Sequence, residues 1–151
     1  MATYTYINAV VSAATNRIYT NRGSLGSFTT VVGEKDEHPA VPAERGELPK
    51  INVIPIGGET ARFTHNISGS NIDLFHEFPI IVIGYYRNQD IDSYLGTVRQ
   101  YGYNCLDLFT GTNRVVGQAV VTDGDIEFGY WEVVDQVIHF FIIRLNMEII
   151  I

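Results

Sequence analysis

Residues 79–109 constrain the fold of this chain more than any other stretch. Pro79-Ile80-Ile81-Val82-Ile83-Gly84-Tyr85-Tyr86 is a nearly unbroken apolar run, the composition of a strand buried on both faces. After the polar turn Arg87-Asn88-Gln89-Asp90 the period changes. Ile91, Tyr94, Leu95, Val98, Gly102, Cys105, Leu106 and Phe109 recur at offsets of three and four, which lines them along one stripe of an α-helix. Asp92, Thr97, Arg99, Gln100, Asn104 and Asp107 fall mostly on the wetter side. Asp90 can cap this helix by accepting from the unpaired amides of its first turn, and Gly111 supplies a stop. A strand that feeds such a helix packs it back onto its own sheet.

The rest of the chain is read around that unit. Tyr6, Ile7, Val10, Val11, Ala14 and Ile18 follow a helical period from about Thr5 to Ile18, with Thr3 or Thr5 as cap, and offer an apolar stripe to the sheet. Residues 21–49 are punctuated by Gly23, Gly26, Gly33, Pro39, Pro42, Gly46 and Pro49, and only Phe28 to Val32 could pair as a strand. A connection of this length is unusual inside a compact domain and is expected to order against a partner or to remain a surface loop. Ile51 to Ile56 is a strand, with Pro55 marking an edge or an end. Gly57-Gly58 then turns into Thr60 to Thr64 as a hairpin partner. Asp123-Gly124 favours a tight turn between Arg114–Val121 and Ile126–Val134. Val137 to Ile149 is a long strand whose odd positions are almost wholly apolar. Its even positions turn polar at Arg144, Asn146 and Glu148, as if one face of its second half met water or another subunit. The expected class is α+β. A mainly antiparallel sheet is packed with an N-terminal helix and a long mid-chain helix, with an extended arm, in a single domain over residues 1–151.

Charge and residue usage exclude several functions. Seventeen acidic residues against ten basic ones give a formal charge of −7, and the basic residues are scattered singly, so the chain is poorly suited to gripping nucleic acid by its phosphates. The one cysteine, Cys105, lies on the apolar stripe and reads as a small buried hydrophobe; a chain with a single cysteine forms no internal disulfide, which fits a reducing compartment. The N-terminus lacks the pattern of a signal peptide, and no uncharged apolar run approaches the length that spans a membrane. His38, His65, His76 and His139 lie far apart in sequence, with no spacing typical of metal ligands. Asp123-Gly124-Asp125-Ile126-Glu127 is the densest carboxylate cluster, but it lacks the loop that would converge several oxygens on a calcium ion. No phosphate-binding glycine loop or nucleophile elbow occurs. The expectation is a protein without enzymatic activity, metal or cofactor. Nine tyrosines, some necessarily outward-facing, suit protein interfaces instead.

Taken in order, these elements resemble the tail terminator (tail completion) proteins of long-tailed bacteriophages. The resemblance rests on the N-terminal helix (Tyr6 to Ile18) and on the long loop closing at Leu48-Pro49-Lys50-Ile51-Asn52-Val53. It extends to the strand Phe78 to Tyr86 leading into an Asp-started helix with Tyr94-Leu95-x-x-Val98-Arg99 and Leu106, and to the C-terminal strand Val137 to Met147. The chain departs from the family in its longer arm and in the extra segment at 114–134. The resemblance implies a structural virion protein: a homo-oligomeric ring, typically a hexamer, at the head–tail junction. Such a ring caps the tail tube, stops its polymerisation and meets the head–tail connector. It is assembled in the host cytoplasm, and DNA slides past an acidic wall without specific binding. A closed ring uses head-to-tail contacts. On this reading the interface residues lie in 24–47 and the last strand: Phe28, Val31, Val32, Glu34, Lys35, Asp36, Glu37, Arg144, Glu148, Ile149, Ile150 and Ile151. The alternatives are another neck or head-completion connector, or a small α+β binding protein or enzyme whose cleft lies between the sheet and the long loop, which a deep pocket lined by His65, His76 and several tyrosines would favour.

Overall fold

The computed structural model describes residues 3–26, 30–33, 48–55, 60–65, 72–87, 94–133 and 136–150. Along the chain these form α1 (Thr3–Thr20), β1 (Thr30–Gly33), β2 (Lys50–Pro55), β3 (Thr60–His65), β4 (Ile72–Arg87), α2 (Tyr94–Asp107), β5 (Val115–Val116), β6 (Ala119–Val133) and β7 (Gln136–Ile150). The Asp90 cap, the start of the helix at Ile91 and the Gly57-Gly58 turn lie outside the described residues, as does most of the 21–49 arm.

One sheet joins all seven strands in the order β1-β2-β4-β7-β6-β5, with β3 also on β4. Among the described residues only β1 and β2 run parallel. The α+β expectation is corrected: the architecture is a mainly antiparallel sheet curled into a half-barrel, and its two helices do not make it a helix-packed α+β fold. The physical reason is strand length. The apolar run at 79–86 is only the inner half of β4, a strand of 16 residues, and β6 and β7 run for 15 residues each.

Two further expectations fail on pairing. Thr60–His65 does not fold back on β2; it pairs with Glu77–Ile72 of β4, while β2 pairs with the Tyr85–Ile80 half of the same strand. β4 is thus long enough to seat two successive strands along one edge. Asp123-Gly124 does not turn either. β6 runs through it, with a register irregularity between Val121 and Asp123. Gly124 is required there for closeness, because a Cβ at this position would lie 2.4 Å from the carbonyl oxygen of Arg144. The real reversals lie elsewhere, at Gly117 (φ +60) between β5 and β6 and between β6 and β7.

Period two along the long strands sorts their side chains. Phe78, Ile80, Val82 and Tyr86 of β4 share one face with Phe141, Ile143, Leu145, Met147 and Ile149 of β7, and the core forms there. Ile7, Val10, Val11, Ala14 and Ile18 of α1 and Val98 and Cys105 of α2 pack against it, as their helical spacing predicts. Burial pushes the Cys105 thiol far above its usual range, in keeping with a core cysteine. Tyr86 donates its hydroxyl to the Leu25 carbonyl at 2.7 Å, tying the turn after α1 to the central strand. On the opposite face Leu48, Ile83, Tyr85, Ile138 and Phe140 form a second buried cluster, with Trp131 stacked on Phe140 at 4.3 Å.

Candidate interaction surface

The β6–β7 hairpin carries the polar surface that the alternation in the last strand announces. Arg144 stands opposite Asp125 and donates to its carboxylate at 2.9 Å and to Glu127 at 3.2 Å. The guanidinium is held charged first by the hydrogen bond to Asp125 and then by that to Glu127. The pair is solvent-exposed, so it orients side chains more than it stabilises the fold. Asn146 donates to Asp123, and Thr122 donates to the Asn146 carbonyl. The apolar-then-polar face of β7 is therefore a change from a packed cluster (Ile138, Phe140, Ile142) to a hydrated one (Arg144, Asn146, Glu148).

The expected interface residues separate into three groups. Phe28, Glu34, Lys35, Asp36, Glu37 and Ile151 lie outside the described residues. Val31 and Val32 belong to β1, whose backbone pairs with Ile51 and Asn52 of the same chain. In the last strand, Arg144 and Glu148 are half-exposed, whereas Ile149 is 1 % exposed in its own chain's core and offers no side-chain surface to a neighbour. Ile150 pairs along the backbone with Phe75. Ile149 is thus packed within its own sheet.

Two depressions flank the hairpin. One of about 380 Å³ is lined by Thr60, Glu77, Pro79, Asp123, Asn146 and Glu148 among others. Glu77 and Glu148 face each other across β4 and β7. A smaller one, of about 190 Å³, lies between the end of α2 and the irregularity in β6. Among the described residues no three His, Cys, Asp or Glu side chains are grouped so as to hold a metal ion, and no helix is long and apolar enough to cross a membrane.

Sequence reasoning missed the outward residues of β6. Asp125, Glu127 and Tyr130 are exposed, and Tyr103 of α2, half-exposed, packs its ring on Phe128 at 5.6 Å. The signal was present, since Asp125 to Tyr130 alternates polar or small with apolar, but a turn assigned at Asp123-Gly124 broke the period before it could be counted.

His139 has the environment expected of a core imidazole. It is 2 % exposed, opposite Tyr130, and burial lowers its pKa. Below the ordinary histidine range the unfolded chain binds a proton that folded His139 resists, so stability falls as the pH drops through the unfolded value toward the folded one. The melting temperature of the wild type is expected to fall more than that of His139→Gln between about pH 7.5 and about pH 5. Parallel melting curves for the two proteins would overturn this.

No protein-family model matches the chain, and no curated protein matches its sequence.

Proposed function

We propose that the chain is a structural protein of a long-tailed phage virion, the terminator that forms a ring on the tail tube at the head–tail junction and stops tube polymerisation. The observation that carries this reading is the order of elements. An N-terminal helix lies against the sheet, a central strand of 16 residues leads toward α2, and a strand of 15 residues returns along the central one. That is the order on which the resemblance rests. The formal charge of −7 supports it, since a negative wall repels DNA and lets it slide. In such a ring the hydrated half of β7, with Arg144 and Glu148, and the segment 24–47 face a neighbouring copy.

The test is the solution mass by light scattering, followed by negative-stain images of the main species with and without tail-tube protein. Rings of about six copies that seat on tube ends and halt elongation are expected. Rings that ignore the tube would move the assignment to a head-completion connector. A monomer that neither assembles at high concentration nor binds tube ends would overturn the ring.

A further inference from the structure

Among the described residues β6 is a long edge strand whose outer side is open over most of its length. β5 covers only Val120 and Ala119, and Val121 donates its amide to the Arg114 carbonyl at 2.9 Å. From Thr122 to Val133 no strand pairs with the outer edge among the described residues. Such an edge is a template for strand addition unless it is guarded.

The two faces flanking this edge differ in chemistry. Ile126, Phe128 and Tyr130 point to the side on which α2 packs, and Tyr103 extends that strip; Tyr130 and Tyr103 are 56 % and 50 % exposed. Asp123, Asp125 and Glu127 point to the other side, where Arg144 pairs with Asp125 and Glu127 while Asp123 accepts from Asn146. Three carboxylates and one guanidinium leave that strip at net −2. A strand laid along the edge alternates its own side chains between the two strips.

We infer that the outer edge of β6 takes up an extended segment of a different protein, one that alternates apolar residues with lysine or arginine. The apolar set would cover Phe128 and Tyr130, and the basic set would face Asp125 and Glu127. A second copy of this chain does not fit. Two β6 edges brought together would oppose their carboxylate rows. The ten basic residues, for their part, are so spread that no two stand within four positions of one another, so no segment of the chain presents the alternation. The inference rests on the edge and its side chains, and it stands or falls independently of the ring.

The experiment titrates the full chain with a fluorescent peptide of about ten residues alternating lysine and valine, beside a peptide of the same composition in two blocks. Amide hydrogen exchange is followed in parallel. The alternating peptide is expected to bind about tenfold or more tightly than the blocked one and to slow exchange across 122–133. Replacing its lysines by glutamate, or introducing D125N with E127Q in the protein, is expected to weaken binding by about tenfold. Because both substituted side chains are exposed, an unchanged melting temperature shows that the fold survives, and the glutamate peptide tests the same point on the wild-type chain. Equal binding of the two peptides would reduce the surface to unspecific charge attraction and overturn the inference. Protection of 122–133 that rises with protein concentration alone would instead place a second copy on the edge, and would overturn it too.

Discussion

Gly84→Ala is expected to destabilise the fold by about 3 kcal/mol, because overpacking a close-fitted core forces side chains out of their wells. Gly84 lies opposite Phe141 on β7, and the aromatic ring occupies the place a side chain would take: an added Cβ would sit 2.2 Å from Phe141 Cε2. The ring cannot simply withdraw, since Phe141 is fully buried and stacks near Tyr86 at 6.1 Å. Phe141→Ala removes the same ring and should cost about 3–5 kcal/mol through lost transfer energy and the cavity left behind. The informative variant is the double one. With the ring gone the new methyl has room, so the two changes together should cost less than their sum by about 1–3 kcal/mol. Urea unfolding of the four proteins measures this. Strict additivity would mean that the glycine serves some other purpose. For a chain of this size each kcal/mol lost corresponds to about 2–4 °C in the melting temperature, so even the single glycine change is readable.

That pair also shows where sequence reading succeeds and where it stops. The run at 79–86 announces a two-face buried strand through its composition, but nothing in it distinguishes Gly84 as a seat for a ring arriving from residue 141. Both helices were legible because period 3.6 is a local property, and Ile7, Val10, Val11, Ala14 and Ile18 are buried as spaced. Pairing is not local. Thr60–His65 looked like the return of the preceding strand because a glycine pair stands between them, yet β4 extends back to Ile72 and takes it instead. Asp-Gly is a turn signal only if the flanking strands are free to pair with each other. Here β7 supplies a partner for both sides of Asp123-Gly124, and a continuous 15-residue strand with one irregularity wins over two short ones. The same misreading hid the candidate surface: once β6 is continuous, Asp125, Glu127, Phe128 and Tyr130 fall on alternate sides of one open edge. In the last strand the opposite holds. The switch to polar residues at Arg144, Asn146 and Glu148 was plain in the letters, and the structure adds that Asp125 and Glu127 accept from Arg144 and Asp123 from Asn146.

Arg17→Met should open a local joint rather than the whole molecule. Arg17, near the end of α1, donates from Nη1 to the carbonyls of Leu108 at 2.9 Å and Asn113 at 2.7 Å, and from Nη2 to that of Val115 at 2.6 Å. Its guanidinium also stands 5.7 Å from the centre of the buried Phe109 ring. One planar group thus gathers the end of α2, the turn after it and β5 onto α1, a task for which five donors in a fixed fork are suited. Two of the three carbonyls are exposed and can be taken over by water, so the cost should fall mainly on the part-buried Leu108 carbonyl and come to about 2 kcal/mol. Methionine keeps the stem's packing, which confines the loss to hydrogen bonding and to the contact with Phe109. Hydrogen exchange should quicken at residues 108–116 well before β4 or β7 respond, because local openings cost less than global ones. Arg17→Lys should recover only part of the loss, since a single ammonium cannot reach three carbonyls spread over eight residues. Full rescue by lysine, or a uniform rise in exchange over the whole sheet, would contradict this account of the joint. The consequence reaches β6, because β5 is the strand that closes its edge at Ala119 and Val120. Loosening β5 should therefore lengthen the open edge without disturbing Asp125, Glu127 or Tyr130, and an alternating basic peptide should bind Arg17→Met at least as well as the wild type.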